Sequence, residues 1–233
     1  PTKDGFNLGL SHETHFESFW VHGGMFEEAG ATPVGTANLT DFFGVTGQAS
    51  DQVRMTGPHG FGTDNFVPTG VFLPYVITFE NPADSLSAIK QIQIRQQLDP
   101  DLDVRSFQLG DILLGDIQIH IPDNRGSFNG DFDFATERGI VVRVTAGVDV
   151  VSRVALWTFS ALDPLTGLPV TGSDLGLLLP NKDGGQLGQV SYLIKDYPSY
   201  TQGRTPATGT LIEASARVVF DYGTPLDTNL HTA

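Results

Sequence analysis

The sequence predicts an all-β protein built as a two-sheet antiparallel sandwich, and three observations carry that prediction. Apolar and polar residues alternate with period two from residue 71 onward, the pattern of strands buried on one face. Clusters of Asn, Asp, Gly and Pro punctuate these runs at short intervals. Twenty of the 27 acidic residues are Asp rather than Glu. Asp favours turns, caps and hard-cation shells because its short side chain reaches its own backbone or an ion, whereas Glu favours helices. With 233 residues the chain can bury one large β core.

Residues 1–47 differ from the rest. Six phenylalanines precede residue 45, glycine-rich turns lie near them and alternation is weak. We read 1–47 as a small Phe-rich element that covers the sandwich or adds strands to a neighbouring subunit, and 48–233 as the sandwich itself. Val71, Leu73, Tyr75, Ile77 and Phe79 share the first clear face. Ile92 and Ile94 then alternate with Gln91, Gln93 and Arg95, and Ile117, Ile119 and Ile121 enclose Gln118 and His120. Ile140, Val142 and Val144 follow, then Ala155, Trp157 and Phe159, then Val190, Tyr192 and Ile194. The last run, Ile212, Ala214, Ala216, Val218 and Phe220, reads as one strand.

Turns are expected at Asn81–Asp84, Pro122–Gly126 and Asn181–Gly185, and short helical turns at Ser11–Phe19 and Ser173–Leu179. The connection from Leu162 to Gly188 carries Pro164, Gly167, Pro169, Gly172 and Pro180, which predicts an ordered loop wrapped over the surface.

Composition excludes several functions. Thirteen basic residues against 27 acidic ones give a net charge of -14, so neither nucleic acid nor an anionic membrane surface is an expected partner. With no cysteine there are no disulfides, thiolate nucleophiles or zinc-thiolate sites. No apolar run approaches the length of a membrane span, and the first residues have no signal core.

From about residue 50 a set of motifs follows in order: Gly57–Gly62 with Asn65-Phe66-Val67, Leu73–Asn81, Gln97–Asp103, Trp157-Thr158-Phe159 with Asp163–Pro169, Leu179-Pro180-Asn181, and Ala214–Asp221 before Pro225–Asn229. Their order and spacing resemble an immunoglobulin-like conserved-repeat β-sandwich module of large secreted or surface bacterial proteins. The resemblance implies a spacer, adhesin or surface-layer building block at the cell surface or outside the cell, without catalysis. It also implies neighbouring copies of itself or adjacent repeats as partners. The stretch Ser50–Arg54 departs from the acidic Asp-Pro-Asn-Asp run that usually opens such a module.

Calcium is the cofactor the acidic field suggests. Between Gln96 and Ala135 eight Asp stand against Arg105 and Arg125. Asp99, Asp101 and Asp103 alternate as the ligands of a loop site would, and Asp131 and Asp133 repeat the spacing. Calcium takes about six to eight oxygens, and alternating Asp in a turn supplies two or three. The competing reading has these Asp capping turns and guarding a sheet edge.

His12, His15 and His22 with Glu13 and Glu17 form a second candidate metal group, although the three-residue spacing of His12 and His15 misses the four-residue spacing of a zincin helix. No Gly-x-Ser-x-Gly elbow accompanies His120. A carbohydrate-binding or carbohydrate-cleaving accessory domain is the alternative function, since acids are plentiful. Trp157 and Tyr192 fall on apolar faces, however, which suits core packing better than a sugar platform. Phe16, Phe19, Trp20 and Phe26 read as a docking or covering surface.

Overall fold

Alternation in the chain becomes two facing sheets. The computed structural model describes residues 48–49, 51–62, 66–197 and 206–233. The strands are β1 (Gln48–Ala49), β2 (Val53–Thr56), β3 (Leu73–Glu80), β4 (Gln91–Gln97), β5 (Leu102–Leu114), β6 (Ile117–Ile119) and β7 (Ser127–Phe134). After a one-turn helix, α1 (Ala135–Arg138), come β8 (Ile140–Asp149), β9 (Val154–Leu162), β10 (Leu187–Asp196), β11 (Glu213–Ala214), β12 (Arg217–Phe220), β13 (Leu226–Asp227) and β14 (His231–Thr232). One sheet runs β1-β13-β12-β4-β9-β8-β7, the other β2-β3-β10-β5-β6, and β11 pairs with β14 as a separate ribbon. Every described pairing is antiparallel except β1 with β13.

The inner faces meet through large side chains. Ring centroids of Phe79 and Phe220 lie 6.3 Å apart, those of Phe107 and Trp157 6.1 Å, and those of Trp157 and Tyr192 5.9 Å. Tyr75, Ile77, Ile92, Ile94, Trp157 and Phe159 are fully buried. Each buried Ile or Phe among them stabilises the fold by about 1.5–3 kcal/mol through burial. Gly188 lies directly opposite Phe79, and a Cβ there would collide with the phenyl ring, so this close approach requires glycine.

Several expectations need correction. Ile212–Phe220 is not one strand: Glu213–Ala214 pairs in the ribbon and Arg217–Phe220 in the seven-stranded sheet. The break is held by Ala216 N donating to Thr228 Oγ1 at 2.9 Å and Thr228 N donating to Ala216 O at 2.9 Å, so the chain changes sheets there. Ser173–Leu179 is not helical, because its backbone bonds elsewhere: Ala88 N donates to Ser173 O, Ile89 N to Leu178 O, and Leu177 N to Ile89 O. Val71 stands outside β3 and is exposed.

Two of the long strands escaped the alternation reading. In β5 the buried residues Val104, Phe107, Leu109, Ile112 and Leu114 are spaced by three and two in turn. Two register shifts against β10 break the period. Ser106 fills one of them, donating to Asp103 O at 2.6 Å and accepting from Lys195 N at 2.7 Å. In β7, an edge strand, Phe128, Phe132 and Phe134 pack half-buried against the core while the other face stays in solvent.

Candidate functional site

The acidic stretches are placed differently from one another. Asp99 makes a turn: its Oδ1 accepts from Asp101 N at 2.9 Å, and its Oδ2 accepts from Glu213 N at 2.9 Å across 114 positions of sequence. Asp103 Oδ1 accepts from Arg105 N at 3.1 Å. Asp131 and Asp133 are not in a turn but on the exposed face of β7. Asp131 sits directly across from Arg143 and takes a two-pronged contact, with both N···O distances 2.8 Å. Those hydrogen bonds hold the Asp131 carboxyl below the usual carboxylate range; partial burial opposes the shift and the Arg143 charge adds to it. Asp133 Oδ1 accepts from Ala135 N, at the start of α1, at 2.8 Å. Among the described residues, no three carboxylate or imidazole side chains form a group that could hold a metal ion.

Many polar residues of the motifs that carry the resemblance act as clamps. Asn81, buried, donates to Ser87 O at 2.9 Å and to Leu178 O at 3.1 Å. Asn181 donates to Glu80 Oε2 at 2.6 Å and accepts from Gln186 N at 2.9 Å, which fastens the long 163–186 connection to the end of β3. Asp221, in the left-handed region at φ 51°, accepts from Lys90 N and Gln91 N, each at 2.9 Å. Asn229 accepts from Met55 N at 2.9 Å and returns a bond to Met55 O at 3.0 Å. Arg217 and Asp227 pair at 2.7 and 3.0 Å on neighbouring strands. Asp163 closes its turn by accepting from Leu165 N and Thr166 N, and these bonds lower its pKa.

The candidate chemical residues are likewise accounted for. Trp157 and Tyr192 are in the core, as their faces predict. Burial pushes the Tyr192 hydroxyl up, with Tyr75 adding and Gln96 opposing; burial and then the Asp99 charge push Tyr75 up, so both phenols stay neutral. His120 Nδ1 lies 2.8 Å from Asp111 Oδ1, both exposed, while Ser191 Oγ donates to the Asp111 main-chain oxygen. This is no nucleophile arrangement, because the serine proton is directed at a carbonyl rather than at the imidazole. The 1–47 element, including the His12, His15, His22, Glu13 and Glu17 group and the aromatic set Phe16, Phe19, Trp20 and Phe26, lies outside the described residues.

Sequence reasoning missed one recess. A cavity of about 370 Å³ opens beside the end of β10, walled by Phe66, Val67, Leu73, Pro206, Leu211 and Ile212. Asp196, the last residue of β10, also lines it and is only 5% exposed. Its Oδ1 accepts from Gly70 N at 2.6 Å, and its Oδ2 is buried with no hydrogen-bond partner among the described residues. The sequence did carry a signal, since Asp196 continues the apolar face of Val190, Tyr192 and Ile194 at a period-two position.

No protein-family model matches the chain, and no curated protein sequence matches it. Among solved structures it is similar to the collagen-binding domain from a Staphylococcus aureus adhesin, at 13% identity over 79% of this chain and 98% of that one, with a TM-score of 0.40. It is similar to the Actinomyces fimbrial adhesin FimA at 15% identity over 78% and 56%, TM-score 0.40. An uncharacterised Nocardia farcinica protein with an immunoglobulin-like fold matches at 16% identity over 75% and 81%, TM-score 0.31. These likenesses say nothing of ligand or activity. The chain is an all-β antiparallel sandwich on its own strand order and core. No helix among the described residues is long and apolar enough to cross a membrane.

Proposed function

We propose that this chain is a non-catalytic structural and adhesive module of a bacterial surface, an immunoglobulin-like unit that holds shape and makes contacts. One observation carries the reading: long connections are fastened by side chains to backbone far away in sequence, by Asn81 to Leu178, Asp221 to Lys90, Asn229 to Met55 and Asp99 to Glu213. Such fastening suits a rigid spacer with fixed surfaces better than an enzyme that must open and close loops. Residues 1–47 are proposed to join neighbouring copies, on the strength of their Phe-rich sequence.

The experiment displays the full chain on beads and measures adhesion to immobilised proteins and glycans, with polysaccharide and ester turnover followed in parallel. Adhesion to protein without product supports the reading, product formation overturns it, and adhesion to glycan alone moves it to the carbohydrate class.

Calcium enters this proposal as a stabiliser of the Asp99 turn. Both Asp99 oxygens already accept backbone amides, so an ion there would draw mainly on Asp101, the second oxygen of Asp103, backbone carbonyls and water. Excess EDTA should then lower the melting temperature, because an ion bound only to the folded state stabilises it by mass action. An unchanged melting curve removes calcium from the proposal.

A further inference from the structure

We propose that the end of the sandwich formed by the 82–87, 163–176 and 221–223 loops is a docking surface for a partner polypeptide that presents apolar side chains among lysines or arginines. That the occupant is a polypeptide rests on the adhesive reading above; its chemistry rests on the loops.

The three loops converge on the start of β4. Ala88 N donates to Ser173 O at 2.7 Å, Lys90 N donates to Asp221 Oδ1 at 2.9 Å, and Ala161 N, near the end of β9, donates to Lys90 O at 2.9 Å. Each loop holds one large apolar side chain in water: Leu86 is 94% exposed, Leu165 93% and Tyr222 96%. These are the three most exposed large apolar residues among those described, and Leu168 is exposed beside them. A single exposed leucine is ordinary, whereas the three most exposed apolar side chains at one end mark a contact surface.

Backbone bonds fix the loops before any partner arrives. Asn81 donates to Ser87 O and Ser85 N donates to Pro82 O at 3.0 Å, which closes the first loop. In the second, the Asp163 carboxylate accepts from Leu165 N and Thr166 N while its main-chain oxygen accepts from Gly167 N at 2.8 Å. In the third, Asp221 is anchored to β4 and Gly223 N donates to Phe220 O at 2.8 Å. Side chains presented on such loops lose little freedom on docking.

Charge selects the partner. The loops carry Asp84, Asp163, Asp174 and Asp221 and no Lys or Arg, and Asp84 and Asp174 are exposed. A second copy of this chain, itself at -14, would be repelled, whereas a cationic polypeptide is steered towards this end. Its apolar side chains then meet Leu86, Leu165 and Tyr222 while its lysines or arginines meet the Asp residues.

The test titrates the full chain, followed by amide NMR, with three short peptides in which leucine alternates with lysine, leucine with glutamate, or serine with lysine. The leucine-lysine peptide should give saturable shifts at Leu86, Leu165 and Tyr222 and bind about tenfold tighter than either of the others. Leu86→Ser, Leu165→Ser and Tyr222→Ser combined should reduce its binding to the level of the serine-lysine peptide; these side chains are in solvent, so the fold is retained. Val151→Ser, at the exposed β8–β9 turn on the opposite end, should leave binding unchanged. The proposal is overturned by equal binding of the leucine-glutamate peptide, by binding that survives the triple substitution, by shifts confined to other regions, or by self-association of the chain through these loops. Adhesion of the displayed chain that survives the triple substitution removes this surface and leaves the adhesive reading standing. Leucine-lysine binding at the loops by a chain that adheres to nothing upholds the surface and removes the adhesive reading.

Discussion

Asp99 and Asp131 both sit in Asp-rich stretches that look alike in sequence, yet one turns its carboxylate onto the Asp101 and Glu213 amides while the other faces solvent on β7 and meets Arg143. The difference comes from what surrounds them. Around Asp131, Phe128, Phe132 and Phe134 recur at even spacing and draw the segment into a strand, which leaves Asp131 and Asp133 on its outer side. Around Asp99, Pro100 interrupts the ladder and the chain must reverse before β5 begins at Leu102. An acidic side chain that satisfies backbone is part of the fold; one that pairs in solvent is largely a surface charge.

Substitutions along this contrast should rank accordingly. Asp221 is the strongest clamp, since it serves two amides from a left-handed backbone position that Asp tolerates and Ala does not. Asp221→Ala should cost about 2–4 kcal/mol by urea unfolding, combining lost acceptors with backbone strain. A loss smaller than that of an exposed ion pair would mean that β12 does not depend on the clamp.

Asp99→Ala comes next, at about 1–2 kcal/mol for two amides left without their acceptor. Asp131→Ala should cost less than about 1 kcal/mol, the range of exposed ion pairs. The Asp131 contribution also depends on pH. The folded Asp131 carboxyl titrates below its unfolded value, so its contribution is present above about pH 3.9 and is lost as pH falls through the lowered value. Melting curves between pH 5 and pH 2 should show that slope in the parent and not in Asp131→Ala. Equal costs for Asp99→Ala and Asp131→Ala would erase the distinction between clamp and display.

How much of this was legible depended on whether the period survived. The faces of β3, β4 and β10 alternate without interruption, and in β8 and β9 every second residue from Ile140 to Ala146 and from Ala155 to Ala161 is buried, so Tyr75, Ile94, Val144, Trp157 and Tyr192 could be assigned to the core from sequence. β5 was hidden because its register shifts move the buried residues off the even positions. The break at Ala216 was hidden because alternation continues across it and only the Thr228 hydroxyl, reached through tertiary structure, marks the change of sheet. The Asp196 recess depends on Phe66, Leu73 and Ile212 coming together from three distant segments, a convergence no local pattern encodes. The Asp-rich field was visible as composition, but its division into clamps and displayed charges was not.

The closing stretch Arg217–Asn229 has a consequence for biosynthesis. β12 inserts between β13 and β4, Asp221 reaches back 131 positions and Asn229 reaches back 174. While a nascent chain still lacks these residues, the Gln91–Gln97 edge and the Met55 amide have no partners, and the seven-stranded sheet stays open at its middle. Folding of the body is thus coupled to completion of its last strands, through loop closures of high contact order that are slow to form. A prematurely ended chain would present an unpaired sheet edge to proteases and to other chains, whereas one carrying Arg217–Asn229 closes that edge itself.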